Sequence, residues 1–289
     1  MAKTGADGEL GTAEGALFGR AAHALYAKDP IVADDWAIEL LSPAWREPLR
    51  AAPPPAPAPG EPDHSPFLAI NIGSLRYAED EVARCLGTGI RQYVILGAGF
   101  DTFALRHAGA DGLTVFEIDH PDVQALKRSR IEAAARVPVS LPVFVPVDFE
   151  TTSLAEGLGS SSFDPGERTV VSWMNTIPYL SESAVRGTLE ELHGLMALGS
   201  RLALNYTCDV PFSERQIEFL KTLQGTTLQS GEPLRSRFTP EAFEALLSDV
   251  GFSLIDHATE RDLHQRYFAG RDDGLDPNFP ARIVTAERR

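Results

Sequence analysis

Cysteine is scarce in this chain. Only Cys85 and Cys208 occur among 289 residues, far apart and outside any Cys-x-x-Cys or Cys/His spacing. That excludes a zinc or iron–sulfur centre built on thiolates and suits a reducing compartment. Positive charge is also short, with 26 Lys and Arg against 41 Asp and Glu and a formal net charge of −15. Such a chain gains nothing electrostatically from a phosphate backbone or an anionic bilayer, so neither nucleic acid nor a membrane is expected as a partner. Long apolar runs are missing, and the opening MAKTGADGELG has no apolar h-region. Membrane spanning and secretion are therefore not expected, and the chain reads as cytoplasmic. What is plentiful is apolar residue, at 43%. This allows a sizeable core in one large or two modest domains and argues against disorder.

Along the chain, residues 12–28 place Leu17, Ala21, Ala24 and Leu25 on one helical face before Asp29-Pro30 stops the run, and a short helix is expected over 34–41. The proline-rich stretch 51–66 reads as an exposed connection. It divides an N-terminal helical cap (1–66) from a main body (67–289) that starts with a long helix over 67–86, closed by Gly87. From Gln92 onward, short β-branched runs (YVIL, LTVFEI, VFVPV, TVVSW, RLALNY) alternate with helical segments at 101–107, 121–136 and 182–197. That pattern predicts a doubly wound α/β fold around a mostly parallel sheet. A helix over 240–250 precedes GFSLIDHA and, after a polar loop, ARIVTAE, which predicts an antiparallel hairpin at one sheet edge. Residues 209–238 interrupt the alternation and read as a lid over the carboxyl ends of the strands.

The chemistry gathers at strand ends. VILGAGFDT (94–102) brings Gly97, Ala98 and Gly99 into the turn after the first strand, where glycine lets a ligand approach the backbone and the next helix supplies free N–H donors. Asp119 follows Gly97 by 22 residues, at the end of the second strand run, placed to accept both hydroxyls of a ribose. Asp148 ends the third run, near an adenine amino group, with Phe149 beside the ring. Each of these alone is an ordinary turn glycine or helix cap; three successive strand ends converging make a nucleoside-cofactor site. The third glycine of a dinucleotide fingerprint is absent, its place taken by Thr102 after Asp101. An acid there repels a pyrophosphate but suits the amino group of S-adenosylmethionine, so a methyl donor is expected over NAD.

The blocks QYVILGAGFDTFALRH (92–107), VFEIDHPDVQALK (115–127), VDFE (147–150) and VSWMNTIPYLSESAV (171–185) resemble the leucine carboxyl methyltransferase and tetracenomycin-type polyketide O-methyltransferase family. The resemblance extends to ALYAKDPIVADDWA (24–37) and RYFAGRDDGL (266–275), nearly the whole chain apart from the proline linker. It implies a Rossmann-like class I methyltransferase fold, a seven-stranded sheet with a terminal antiparallel hairpin, and S-adenosyl-L-methionine as cofactor. The family pattern would set the cofactor carboxylate on Arg76, its amino group near Gly97, its ribose on Asp119 with His120 alongside, and its adenine by Asp148 and Phe149. Many members carry a glutamate after the fourth strand, where this chain has Trp173, Met174 and Asn175. Backbone carbonyls or Asn175 are the alternatives for that contact, and Trp173 is the candidate wall of the sulfonium region.

Methyl transfer from a sulfonium is an in-line displacement, so the protein mainly orients and desolvates. A carboxylate acceptor needs no general base, whereas a hydroxyl profits from one. Residues considered at the mouth are His107, Tyr179, Tyr206, Arg237 and Tyr267, with Tyr179, Tyr206 and Arg237 kept as acceptor-binding candidates. No catalytic base is assigned. The expectation is an O-methyltransferase for a small, polyketide-like acid of bacterial secondary metabolism. Alternatives are a methyltransferase for protein C-terminal carboxylates, a cofactor-holding protein without transfer, and an NAD(P)-dependent oxidoreductase.

Overall fold

The computed structural model describes residues 12–55, 65–107, 112–138, 140–148, 152–229 and 233–289. Phe149, part of the expected adenine contact, and the proline run over 56–64 lie outside them. The strands are β1 (Gln92–Leu96), β2 (Thr114–Asp119), β3 (Val143–Pro146), β4 (Thr169–Trp173), β5 (Arg201–Thr207), β6 (Phe252–Ala258) and β7 (Ala281–Arg288). They form one seven-stranded sheet in the order β3-β2-β1-β4-β5-β7-β6, parallel except that β7 pairs antiparallel with both β5 and β6. The chain winds outward from β1 to β3, then returns to place β4 on the other side of β1. The β1/β4 seam is thus the switch point of the sheet, where a crevice opens at the carboxyl ends of the strands.

All five residues of β1 and of β4 are buried, as expected of strands covered on both faces. Alternation sends Val94, Leu96, Phe116, Ile118, Val171, Trp173, Leu204 and Tyr206 to one face. There they pack on α7 (Leu154–Gly159), α8 (Glu182–Leu195) and α10 (Pro240–Val250) through Leu154, Leu158, Val185, Leu189, Phe243 and Leu247. The other face packs on α4 (Ser65–Leu86) and α5 (Phe103–Arg106): Tyr93, Ile95 and Val170 meet Val82, Cys85 and Phe103, while Ala203 and Ile283 meet Ile70, Tyr77 and Ala78.

Helix α1 (Thr12–Tyr26), α2 (Ala37–Leu40) and α3 (Pro43–Ala51) precede α4. Leu17, Ala21, Trp36, Leu40 and Leu49 of this segment cluster with Phe100, Leu105 and Ile131, so it packs directly over the turn that follows β1. The ion-pair pattern reinforces that contact: buried Asp34 accepts from the Thr102 hydroxyl at 2.6 Å and lies 3.6 Å from both Arg20 and Arg106.

Several sequence boundaries move. Residues 43–51, to which the sequence pattern assigned no element before the connection expected from 51, form α3, begun by Pro43 at a position that needs no N–H. Helix α6 runs only over Pro121–Glu132 and α5 only over Phe103–Arg106. The supposed lid contains α9 (Glu214–Gln229), and the Ser153 capping box begins α7, which the sequence pattern did not separate. The final strands pair as expected but are joined by α11 (Glu260–Leu263) and one turn of π-helix over His264–Phe268, so no tight hairpin forms. The last strand, not the one before it, inserts beside β5.

Candidate cofactor and acceptor site

The crevice at the switch point holds a cavity of about 430 Å³, lined by the turn after β1, by Asp119, His120 and Asp148 beyond β2 and β3, by the segment after β4, and by faces of α1 and α4. Gly97 and Gly99 hold φ of 63° and 49°, in the left-handed region that glycine enters without penalty. The Gly97 and Ala98 N–H groups donate to the Ile118 carbonyl at 2.9 and 3.2 Å, which pins the turn to β2. A Cβ on Gly97 would sit 2.5 Å from Thr176 Oγ1, whereas one on Gly99 would meet nothing within 4 Å. Gly97 is therefore required by the closeness of the β4 segment, and Gly99 by conformation beside open space. Gly97→Ala is expected to cost about 1–3 kcal/mol more than Gly99→Ala, because strain at φ > 0 is shared while the collision is not. Urea unfolding of the two variants checks this, and equal losses would count against it.

Asp119 stands where β2 ends. Its carboxylate accepts the Gly99 N–H at 2.6 Å and the His120 N–H at 2.7 Å. Burial raises its pKa above the ordinary carboxylate value, and these two backbone donors pull the other way. His120 caps α6 by accepting the Asp122 N–H on Nδ1 at 3.2 Å and also lines the cavity. The helix after the turn, expected to supply free N–H donors, has only four residues, and Asp101 accepts its Phe103 N–H at 2.7 Å. The helix end is thus satisfied internally, and the site relies on the turn and side chains.

Strand β4 ends in a strained corner. Asn175 is the one non-glycine residue with positive φ (58°) among the described residues. Its N–H donates to Asn205 Oδ1 at 2.6 Å, Asn205 Nδ2 returns a bond to Asn175 Oδ1 at 2.8 Å, and Asn175 Nδ2 donates to Ser74 Oγ at 2.9 Å. This carboxamide pair holds the left-handed backbone, which asparagine tolerates better than most residues. Ser172, Met174, Asn175 and Thr176 face the cavity. Trp173, expected to wall the sulfonium region, does not. Alternation along β4 turns it to the opposite face, where it is 2% exposed in the core.

Arg76 is corrected in the same way. Helix α4 turns Phe67, Asn71 and Leu75, at four-residue spacing, into the cavity, so Arg76 points about a quarter-turn away. It pairs with Asp80 at 2.8 Å and donates to the Ile31 carbonyl at 3.1 Å, in a separate groove with Tyr267 and Arg266. Two arginines do reach the cavity: Arg235, and Arg20 of α1, which is 7% exposed. One guanidinium nitrogen donates to the Phe100 carbonyl at 2.6 Å, while Nε is buried without a hydrogen bond. A readable signal existed: Arg20 interrupts the apolar helical face of Leu17, Ala21 and Ala24.

Of the acceptor candidates, Tyr179 lines the cavity. Tyr206 does not; it is stacked on Phe243 with centroids 4.0 Å apart, and its hydroxyl meets His257 Nε2 at 2.9 Å. Arg237 is exposed over the Phe212 ring, and it is Arg235, whose N–H donates to the Pro178 carbonyl at 2.7 Å, that borders the cavity. His107 lies outside, against Phe103 and 3.7 Å from Glu79, and Tyr267 donates to Asp80 in the other groove.

The strand order, the antiparallel β7 and the glycine turn facing an acid at the next strand end define a class I methyltransferase fold. The profile of the leucine carboxyl methyltransferase family matches residues 13–193, and the chain belongs to that family. YktD of Bacillus subtilis is 31% identical over 205 residues, covering 69% of this chain and 66% of the relative. A Mycobacterium marinum protein is 28% identical over 294 residues, covering 99% and 86%. Both carry the name putative S-adenosyl-L-methionine-dependent methyltransferase. Matches to two other relatives span 59% and 62% of those proteins. Among solved structures, a DUF574 family protein from Streptomyces avermitilis superposes with a TM-score of 0.62 at 17% identity, covering 95% of this chain and 97% of its own.

Proposed function

We propose that this chain is an S-adenosylmethionine-dependent O-methyltransferase acting on a carboxylate or hydroxyl of a small acceptor. The observation that carries the reading is the meeting, in one cavity, of the glycine turn, the Asp119 carboxylate and the buried guanidinium of Arg20. These residues fit the donor. Asp119 would hold the ribose hydroxyls, Asp148 with Val123 and Val147 would flank the adenine, and Arg20, rather than Arg76, would take the carboxylate. Bound there, the donor supplies an already activated methyl group.

The chain's own residues then orient and exclude water. Phe67, Leu75, Met174, Tyr179 and Leu180 give the rest of the cavity an apolar lining, and Arg235 at its edge is the cation available to an anionic acceptor. A carboxylate acceptor is anionic at neutral pH and needs no proton removed, consistent with an apolar wall. The cap (1–66) contributes Ala13, Ala16 and Arg20, and the 209–238 segment contributes Pro233 and Arg235, so both would serve as covers for a catalytic unit over 67–289. A pyrophosphate cofactor fits poorly, because Asp101, Asp119 and Asp148 share the lining with only two arginines. No helix among the described residues is long and apolar enough to cross a membrane.

Arg20→Gln is expected to weaken S-adenosylhomocysteine about 10- to 100-fold, the worth of a hydrogen bond to a charged group, and Arg76→Ala to leave it unchanged. Calorimetric titration reads both; the reverse ranking would restore Arg76. The reaction itself is tested by incubating the protein with methyl-labelled donor and a panel of small carboxylic acids and phenols. Label in a base-labile ester marks a carboxylate acceptor, label in a stable ether a hydroxyl. Cofactor binding with no release of S-adenosylhomocysteine on any acceptor would count against transfer.

A further inference from the structure

We infer that Asn71 binds the donor directly, its side-chain oxygen accepting the α-ammonium of the amino-acid moiety in place of an acid after β4. The inference rests on the proposed donor. Asn71 sits on the face of α4 that lines the cavity and is 7% exposed. Its Oδ1 is buried without a hydrogen-bond partner, although its backbone carbonyl is used by the Ser74 hydroxyl at 3.0 Å. A buried acceptor left unpaired destabilises the fold unless something else satisfies it.

The surrounding groups narrow what that partner is. A zwitterionic amino-acid group needs donors for its carboxylate and acceptors for its ammonium. Arg20 of α1, with Nε facing Asp34 at 3.6 Å and one terminal nitrogen on the Phe100 carbonyl, offers the remaining N–H groups of its guanidinium as donors. On the acceptor side, Asn175 and Asn205 are committed to each other and to Ser74, Asp119 is assigned to the ribose, and Asp101 has one oxygen on the Phe103 N–H. Asn71 is the buried carboxamide on the same cavity with its oxygen still unused. Arg20 and Asn71 together present complementary halves of a zwitterion site, one cationic and one neutral.

The test is Asn71→Leu, a near-isosteric change, titrated with S-adenosylhomocysteine and with methylthioadenosine, which keeps the nucleoside and sulfur but lacks the amino-acid group. The expected result is at least a tenfold loss for the first ligand, no change for the second, and a melting temperature equal to or above that of the wild type. Asn71→Asp, which offers an anion at the same place, is expected to bind S-adenosylhomocysteine at least as tightly as the wild type. Equal loss for both ligands, a lowered melting temperature with unchanged binding, or no loss at all would overturn the inference. Wild-type protein that binds neither ligand would instead overturn the methyl-donor reading, and the inference with it.

Discussion

Replacing Asp119 with alanine is expected to raise the dissociation constant of S-adenosylhomocysteine by about 100-fold or more. Two hydroxyl hydrogen bonds to an ionised, largely buried carboxylate are worth about 1.5–3 kcal/mol each before compensation, and loss of both exceeds any other single change at the site. The side chain also receives the Gly99 and His120 N–H groups, so its removal loosens the turn that shapes the pocket. The same burial that makes it a strong acceptor raises its pKa. A carboxyl raised in the folded state stabilises the fold fully below its unfolded pKa, and that contribution is lost as pH rises through the folded value. Asp119→Ala is therefore expected to lose ligand affinity with a melting temperature that falls less at neutral pH than in acid. Calorimetry and thermal unfolding at pH 4.5 and 7.5 read the two effects; an unchanged affinity would remove Asp119 from the site.

The second large effect is on stability. Glu117 in β2 and Lys127 in α6 are each 1% exposed and lie 2.5 Å apart, directly behind the Asp119 strand end. Glu117 Oε1 has no partner at all. Burial pushes the Glu117 carboxyl up to about 7, with Lys127 opposing that rise. Lys127→Met removes the opposing charge and is expected to cost about 3–5 kcal/mol, the usual penalty for breaking a buried pair from one side. The sign with pH follows from the raised value. In the variant the carboxyl rises further, so the loss relative to wild type is smallest near pH 5, where the carboxyl is protonated in both proteins. It grows as pH rises through about 7, where only the wild type can ionise with a partner. Adding Glu117→Leu should recover most of the loss, because two apolar groups leave no charge buried. A loss independent of pH, or no recovery in the double variant, would contradict this account.

The sheet was legible because its central strands are buried runs of uniform character, which only a doubly covered parallel sheet requires. That Gly97, Asp119 and Asp148 would meet at one cavity was legible for the same reason: once the strands are placed, their carboxyl ends converge on the switch point whatever the loops do. The errors are errors of facing. Arg76 and Trp173 lie one residue from positions that line the cavity, Leu75 on one side and Ser172 or Met174 on the other, and one step turns a helix by about 100° and a strand to its other face. Tyr206 fails likewise, since its neighbour Asn205 is the one that bonds to Asn175. Arg235 was out of reach, because the path after α9 follows tertiary contacts and no local period. Asn71 and Asn205 look unremarkable in sequence; only the partners they have, or lack, mark them.

Titration of the wild-type protein with S-adenosylmethionine, S-adenosylhomocysteine and NAD tests the central claim most directly. The account predicts that the two methionine-derived nucleosides bind with one site per chain and that NAD does not. Binding of NAD alone, or of none of the three, would contradict it.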